Sequence, residues 1–187
     1  MGKASRSKPA AAGISVEAGA LCQALSRVMP VARRKADIPI LSMVRIVANG
    51  RRVEITATNL DLEMQTHLPA AGKLAPVCVE PRVLRDIVRW LPAKDRVTLQ
   101  AGAGDELAVL VGEEEWRLPT LPAVDFPKMR QPTDAPNHGS VQLDAGYIGD
   151  VLARVLPFIS TEETRYYLNG VLLEAEGDRL QAVSTDG

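Results

Sequence analysis

The sequence predicts an α+β protein in which one fold is repeated in tandem and the second copy is truncated. Residues 14–60 align without a gap to residues 141–187, at a constant separation of 127. Identical residues recur along the alignment, among them Leu25 with Leu152 and Pro30 with Pro157. Both copies carry an apolar stripe of helical spacing followed by β-branched runs, which is typical of helices packed on antiparallel sheets.

A period of this length is too long for a solenoid unit and indicates whole domains of one fold. The first copy continues to about residue 130, whereas Gly187 falls inside the second copy. The segment QPTDAPNHG between the copies is rich in proline and polar residues, as linkers are. We therefore expect a disordered tail over 1–13, a complete domain over 14–130, a linker over 131–139 and the first half of a second domain over 140–187.

The first helix is predicted over residues 18–29. It ends before Pro30, because proline disfavours a helical residue ahead of it. Apolar residues recur on one face of the helix, at Leu21, Ala24, Leu25 and Val28. The second copy repeats this stripe with Ile148, Val151, Leu152 and Val155.

A hairpin is predicted next, since two β-branched runs flank Asn49-Gly50, a strong short-range turn signal. Glu176-Gly177 occupies the same place in the second copy. LEMQTHL alternates as a further strand, and RVTLQA, LAVLV and EWRLP are strand-like runs that complete the first copy.

The segment PVCVEPRVLRDIVRWLP predicts a short strand and a second helix, with Pro81 in the first helical turn. Three arginines, Arg82, Arg85 and Arg89, share the face opposite the apolar stripe. Arg27 and Arg154 lie opposite the stripes of their own helices. Two interpretations stay open, a basic surface that faces DNA or ordinary solvated helix faces. Each domain is thus predicted as mostly antiparallel sheet with two helices on one face.

The charge balance excludes a generally basic nucleic-acid binder. The chain has 22 basic and 23 acidic residues and a formal net charge of −1. Only a distribution segregated by face could serve DNA. Arg33, Arg34 and Lys35 form a basic loop after the first helix, and Tyr166 and Tyr167 could either stack on nucleotides or pack inside the protein.

No catalytic or metal site is expected. Asp61 and Glu63 could be a pair of metal-binding carboxylates, but on a strand they more readily form a solvated face. The two histidines and two cysteines lack metal-ligand spacing, and neither histidine has a motif partner for a hydrolytic triad. We expect no cofactor and no enzymatic activity.

The sequence also predicts a cytoplasmic protein that does not cross a membrane. No apolar stretch approaches the roughly 20 residues that a membrane-spanning helix needs. The N-terminal MGKASRSKPAAAG has basic residues without the hydrophobic segment of a secretory signal. Two cysteines are too few for a disulfide framework.

Several motifs resemble those of the bacterial DNA sliding clamp family, the beta subunit of DNA polymerase III. ADIPILSMVRI, ITATNLDLEM and RLPTLPAVDFP resemble the first domain of that family, and ETRYYLNGVLLE with VSTDG resembles its second domain. The resemblance covers residues 14–187. It implies the DNA-clamp fold, built from three similar domains per chain, and a homodimeric ring whose helices line a hole for duplex DNA.

The resemblance also implies roles for individual residues. Lys35 falls where the family has a basic loop residue that touches DNA, and Tyr166 and Tyr167 match tyrosines near the DNA path. Trp116 and Leu118 match apolar residues of the dimer seam. Leu168, Thr185 and Gly187 match part of the pocket for short peptides of DNA polymerase III and the clamp loader. The expected DNA contacts are Arg27, Arg33, Arg34, Lys35, Arg82, Arg85, Arg89, Arg154, Arg165, Tyr166 and Tyr167.

The resulting hypothesis is a processivity factor that encircles duplex DNA without reading its sequence and tethers the polymerase. This chain would be its N-terminal portion. Two alternatives follow from the same residues. One is a short stand-alone clamp-like protein that binds partners or DNA without encircling it, and the other is a metal-dependent nucleic-acid enzyme that uses Asp61 and Glu63.

Overall fold

The computed structural model describes residues 13–102, 104–129, 141–177 and 179–187. The chain divides into two compact units, an N-terminal unit over Met1–Arg130 and a C-terminal unit over Gln131–Gly187. The predicted linker lies outside the described residues. So does the predicted tail except for Gly13, which is the first residue of a strand and was therefore wrongly included in the tail.

The N-terminal unit contains six strands and two α-helices among its described residues. The helices are α1 (Ala18–Val28) and α2 (Pro81–Val88). The strands are β1 (Gly13–Glu17), β2 (Val44–Thr58), β3 (Glu63–Val79), β4 (Arg96–Ala101), β5 (Glu106–Val111) and β6 (Glu114–Pro122). Short 3-10 turns occur at Pro39–Ser42 and Ala123–Asp125.

All pairings among these strands are antiparallel. The strand order is β1-β4-β5-β6-β3-β2, and β1 also pairs with β3, at Ile14 with Gly72 and Ser15 with Ala71. This extra pairing joins the first strand to both β4 and β3 and closes the sheet on itself. The mostly antiparallel α+β architecture expected from the sequence is confirmed.

The long strand β2 folds back on itself at the predicted turn. Arg45 Nη1 lies 3.2 Å from Glu54 Oε1, although nine residues of extended chain span roughly 30 Å. Between them Gly50 has a φ of 105°, and the register with β3 shifts between Gly50 and Arg52. The hairpin expected at Asn49-Gly50 is therefore present inside a continuous strand.

Both helices form where the apolar stripes predict them, and they pack on each other over the sheet. α1 ends at Val28 and is followed by Met29 as its C-cap, and α2 begins at Pro81. Leu21, Leu25 and Leu84 are fully buried in one core with side chains from all six strands. The helices therefore present their other faces to solvent, where the arginines lie.

The C-terminal unit contains α3 (Ala145–Val155), two 3-10 turns (Leu156–Phe158 and Glu163–Leu168) and the antiparallel pair β7 (Leu172–Glu176) and β8 (Arg179–Val183). The order of helix and hairpin matches that of residues 18–58, as the repeat predicts. Asp144 accepts a hydrogen bond from the backbone N–H of Tyr147 at 3.0 Å and so caps α3. No described helix is both long and apolar enough to span a bilayer.

Candidate nucleic-acid interface

A concave basic surface lies between α2 and the loop that follows α1. It encloses a cavity of about 500 Å³. Four cationic side chains and two carboxylates line it, together with one methionine: Arg34, Lys35, Arg82, Arg85, Glu80, Asp86 and Met29. Four predicted DNA contacts from two separate segments of the sequence are thereby brought together, whereas Arg27, Arg33 and Arg89 are not among the lining residues.

Arg82 links α2 to the loop that follows α1. Its Nη2 donates a hydrogen bond to the backbone oxygen of Ala32 at 2.8 Å, across fifty positions of sequence. Its Nη1 lies 3.7 Å from Glu80 Oε1. Because one guanidinium nitrogen is bonded to the loop and another lies close to Glu80, Arg82 positions the basic loop against α2. The sequence predicted a side chain that contacts DNA and missed this positioning role.

Arg85 of α2 and Arg89, which caps the C-terminal end of that helix, share one carboxylate. Asp86 Oδ1 lies 3.3 Å from Arg85 Nη2 and 3.3 Å from Arg89 Nη1. The guanidinium carbon of Arg89 also sits 4.5 Å from the ring centre of Trp90, in a cation–π contact. The sequence analysis did not single out Asp86, although its position three residues before Arg89 is the helical spacing of an ion pair.

The remaining predicted cations of the N-terminal unit are exposed. Arg27 lies in the last turn of α1, on the side away from the core, as the helical spacing predicts. Arg33 Nη2 is 4.0 Å from Asp61 Oδ2, at the limit of an ion pair. Cations at such positions keep most of their charge available to an external anion, because exposed ion pairs are weak.

In the C-terminal unit the two tyrosines are on the surface. Tyr166 is 77% exposed and Tyr167 69% exposed, and their ring centres are 5.9 Å apart in an edge-on arrangement. The alternative of buried packing is therefore wrong for both rings. Arg165 is paired with Glu162 at 3.0 Å, and Arg154 is exposed in the last turn of α3.

The residues assigned to a peptide pocket also lie in the C-terminal unit. Leu168 ends the second 3-10 turn and is half-buried, whereas Thr185 and Gly187 are exposed beyond β8. The backbone N–H of Gly187 donates to Thr185 Oγ1 at 3.2 Å. This contact brings two of the three residues together.

The residues assigned to a dimer seam lie on β6. Leu118 is buried in the core of the N-terminal unit and so exposes little apolar surface to a partner chain. Trp116 is half-buried and borders a second concavity of about 500 Å³. Its other lining residues come from α2 and its C-terminal end and from the start of β6: Val83, Asp86, Ile87, Trp90, Leu91 and Glu114.

The two carboxylates considered for a metal do not share a strand. Asp61 lies in the turn before β3, where the side chain of Asn59 accepts hydrogen bonds from the N–H groups of Asp61 and Leu62. Its partner is Arg33. Among the described residues, no group of three or more His, Cys, Asp or Glu side chains is placed to hold a metal ion.

Cys78 is not an activated nucleophile. Burial of the thiol, slightly offset by the nearby positive charge of Arg45, raises the pKa of Cys78 to about 11. The reactive thiolate is therefore a minor species at neutral pH.

Comparison with known proteins places the chain in a family. The family model for the N-terminal domain of the DNA polymerase III beta subunit matches residues 13–130. The beta sliding clamp of Caulobacter vibrioides is 34% identical over 185 residues, covering 93% of this chain and 48% of the relative. The beta sliding clamp of Pseudomonas putida is 31% identical over 175 residues, covering 92% of this chain and 47% of the relative.

Solved structures agree in fold. The DNA polymerase III subunit beta of Pseudomonas aeruginosa superposes with a TM-score of 0.84 at 28–29% identity, over 94% of this chain and 47% of that one. The Caulobacter crescentus beta sliding clamp gives a TM-score of 0.81 at 34% identity, over 95% of this chain and 48% of that one. This chain spans about half the length of the relatives that it matches. The DNA-clamp fold is thus confirmed, and the chain belongs to the family of DNA polymerase III beta subunits, the beta sliding clamps.

Proposed function

We propose that this chain supplies DNA contacts of a sliding clamp, as a non-catalytic part of the polymerase assembly. The clamp would encircle duplex DNA and raise the residence of DNA polymerase III on it by effective concentration, without chemistry of its own. Because the chain covers about half of its relatives, the activity of the whole clamp and its cytoplasmic location are part of this proposal.

The observation that carries the proposal is the basic cavity between α2 and the loop after α1. Four cations converge there in a chain whose net charge is only −1. Cations of this kind attract backbone phosphates and read no base sequence. Contacts to phosphate alone suit a protein that must move along DNA.

The exposed side chains of the C-terminal unit support the same function. The tyrosine pair has ring faces and hydroxyls free to contact a sugar-phosphate backbone, and Arg154 adds a cation on α3. We include Tyr166, Tyr167, Arg154 and Arg165 among the proposed DNA contacts, with Arg27, Arg33 and Arg89 of the N-terminal unit.

Binding of a short duplex should test this function directly. We expect weak, sequence-independent binding whose affinity falls steeply with salt. Replacing the exposed loop residue, Lys35→Ala, should lower the slope of log affinity against log salt by about one. Lys73→Ala removes an equal charge from an exposed position on β3 and is the matched control. Fluorescence anisotropy across a salt series measures the slope for both variants. Equal slopes for the two variants would contradict the assignment of Lys35 to the DNA contact.

The polymerase and the clamp loader are the proposed protein partners, through a peptide pocket to which Leu168, Thr185 and Gly187 would contribute. A second clamp subunit is the third proposed partner. Residues 114–119 of β6 pair with β5 on one side, and no described strand pairs with their other side. An open strand edge beside an apolar concavity is a suitable seam for another chain.

The seam can be tested with a relative. A tagged full-length Caulobacter vibrioides clamp should capture this chain by subunit exchange, since both belong to one family. Trp116→Glu, which places a charge in the concavity, should abolish capture, whereas Trp90→Glu at its rim should weaken it less. Capture that is unchanged by Trp116→Glu would place the seam elsewhere.

A further inference from the structure

Asp86 occupies an unexpected place for a surface that binds phosphate. Its carboxylate lies within 3.3 Å of both Arg85 and Arg89 and is itself 56% exposed. The two arginine side chains are 29% and 44% exposed. One negative charge therefore engages two of the three arginines on the proposed DNA-facing side of α2.

The same carboxylate also borders the basic cavity, next to Arg82 and Arg85. Arg85 Nε and Arg82 Nη1 are buried and have no hydrogen-bond partner among the described residues. Asp86 neutralises part of the positive charge beside the cavity. A phosphate oxygen that enters the cavity meets both the cations and their internal competitor.

We propose that Asp86 competes with DNA phosphates for Arg85 and Arg89 and so keeps this contact weak and rapidly exchanged. The inference rests on the proposed DNA contact and concerns its regulation. Exposed ion pairs of this kind are worth roughly 1 kcal/mol or less, so a phosphate can displace the carboxylate. After each step along the duplex the carboxylate recovers its two partners, which limits how long any one phosphate is held.

The test is Asp86→Asn, which keeps the shape of the side chain and removes its charge. We expect duplex DNA to bind roughly three- to ten-fold more tightly at low salt, because one repulsive charge is lost and two arginines are released. Asp105→Asn, in the exposed turn between β4 and β5, makes the same change in net charge away from the arginines. It should change the affinity much less.

A double-variant cycle separates competition from a general charge effect. In an Arg85→Ala, Arg89→Ala background, Asp86→Asn should tighten binding no more than Asp105→Asn does, because only the general loss of a negative charge remains and no arginine is left to release. Equal effects of the Asp86 and Asp105 variants, or a gain from Asp86→Asn in the double-alanine background that still exceeds the gain from Asp105→Asn, would overturn the inference. If the unmodified chain binds no duplex at low salt, the proposed function itself fails. Thermal unfolding of each variant checks that the fold is kept.

Discussion

Residues 14–60 and 141–187 share a sequence pattern and an order of elements, yet they differ in burial. Leu21 and Leu25 on α1 are fully buried, whereas Ile148 and Leu152 at the equivalent positions of α3 are half-buried. No residue of α3 is buried. The apolar stripe alone is therefore enough to form a helix, but a second packing surface is needed to bury the apolar face of that helix.

The covering surface is visible in the N-terminal unit. There α1 packs on α2, and β1 pairs with β4 and β3. The described residues of the C-terminal unit contain no counterpart of α2 or of β4–β6. Residues 141–144, which correspond to β1, accordingly form no strand, and Leu172 and Leu173 of β7 are exposed. A strand needs a partner for its backbone groups, and a single hairpin is marginal in water.

Hydrogen exchange should show the largest difference between the two regions. Amides of α1, β2 and β3 should exchange only when the N-terminal unit unfolds, whereas those of α3, β7 and β8 should exchange by local opening. With a global stability of about 5 kcal/mol or more, the rates should differ by roughly a thousandfold. Mass spectrometry of peptic peptides measures this. Equal protection of 18–58 and 145–183 at low protein concentration would show that the C-terminal unit is stable without a cover.

Local features were the most predictable from sequence. The stripe of α1, Pro81 at the start of α2 and the turn at Gly50 depend on neighbouring residues only, and all three are as predicted. The cluster formed by Arg34, Lys35, Arg82 and Arg85 was predicted as residues but not as one cavity. Its formation depends on the packing of α1 against α2, which no local pattern encodes.

Other features depended on contacts that the sequence does not reveal. The second pairing of β1, with β3, joins distant segments, and no turn signal marks it. Leu118 is buried because β6 packs on the core, although alternation alone cannot say which face is inside. Asp61 was predicted on a strand, but Leu60 adopts a φ of 80° and Asn59 caps the turn, so the strand begins only at Glu63.

A pair of equivalent core substitutions gives a smaller but more specific test of the comparison. Leu21→Ala should destabilise the N-terminal unit by about 2–5 kcal/mol, because a fully buried side chain leaves a cavity. Ile148→Ala at the matching position of α3 should cost less than about 1 kcal/mol, since its side chain is only half-buried.

The two tryptophans make this measurement selective for one unit. Trp90 and Trp116 are the chain's two tryptophans and both belong to the N-terminal unit, so denaturant unfolding followed by tryptophan fluorescence reports that unit alone. Leu21→Ala should lower the midpoint, with Leu21→Val as a milder variant if the alanine variant does not fold. Ile148→Ala should leave the midpoint where it is. An equal shift for both substitutions would mean that α3 shares a cooperative core with α1, and that the contrast in burial does not reflect a contrast in stability.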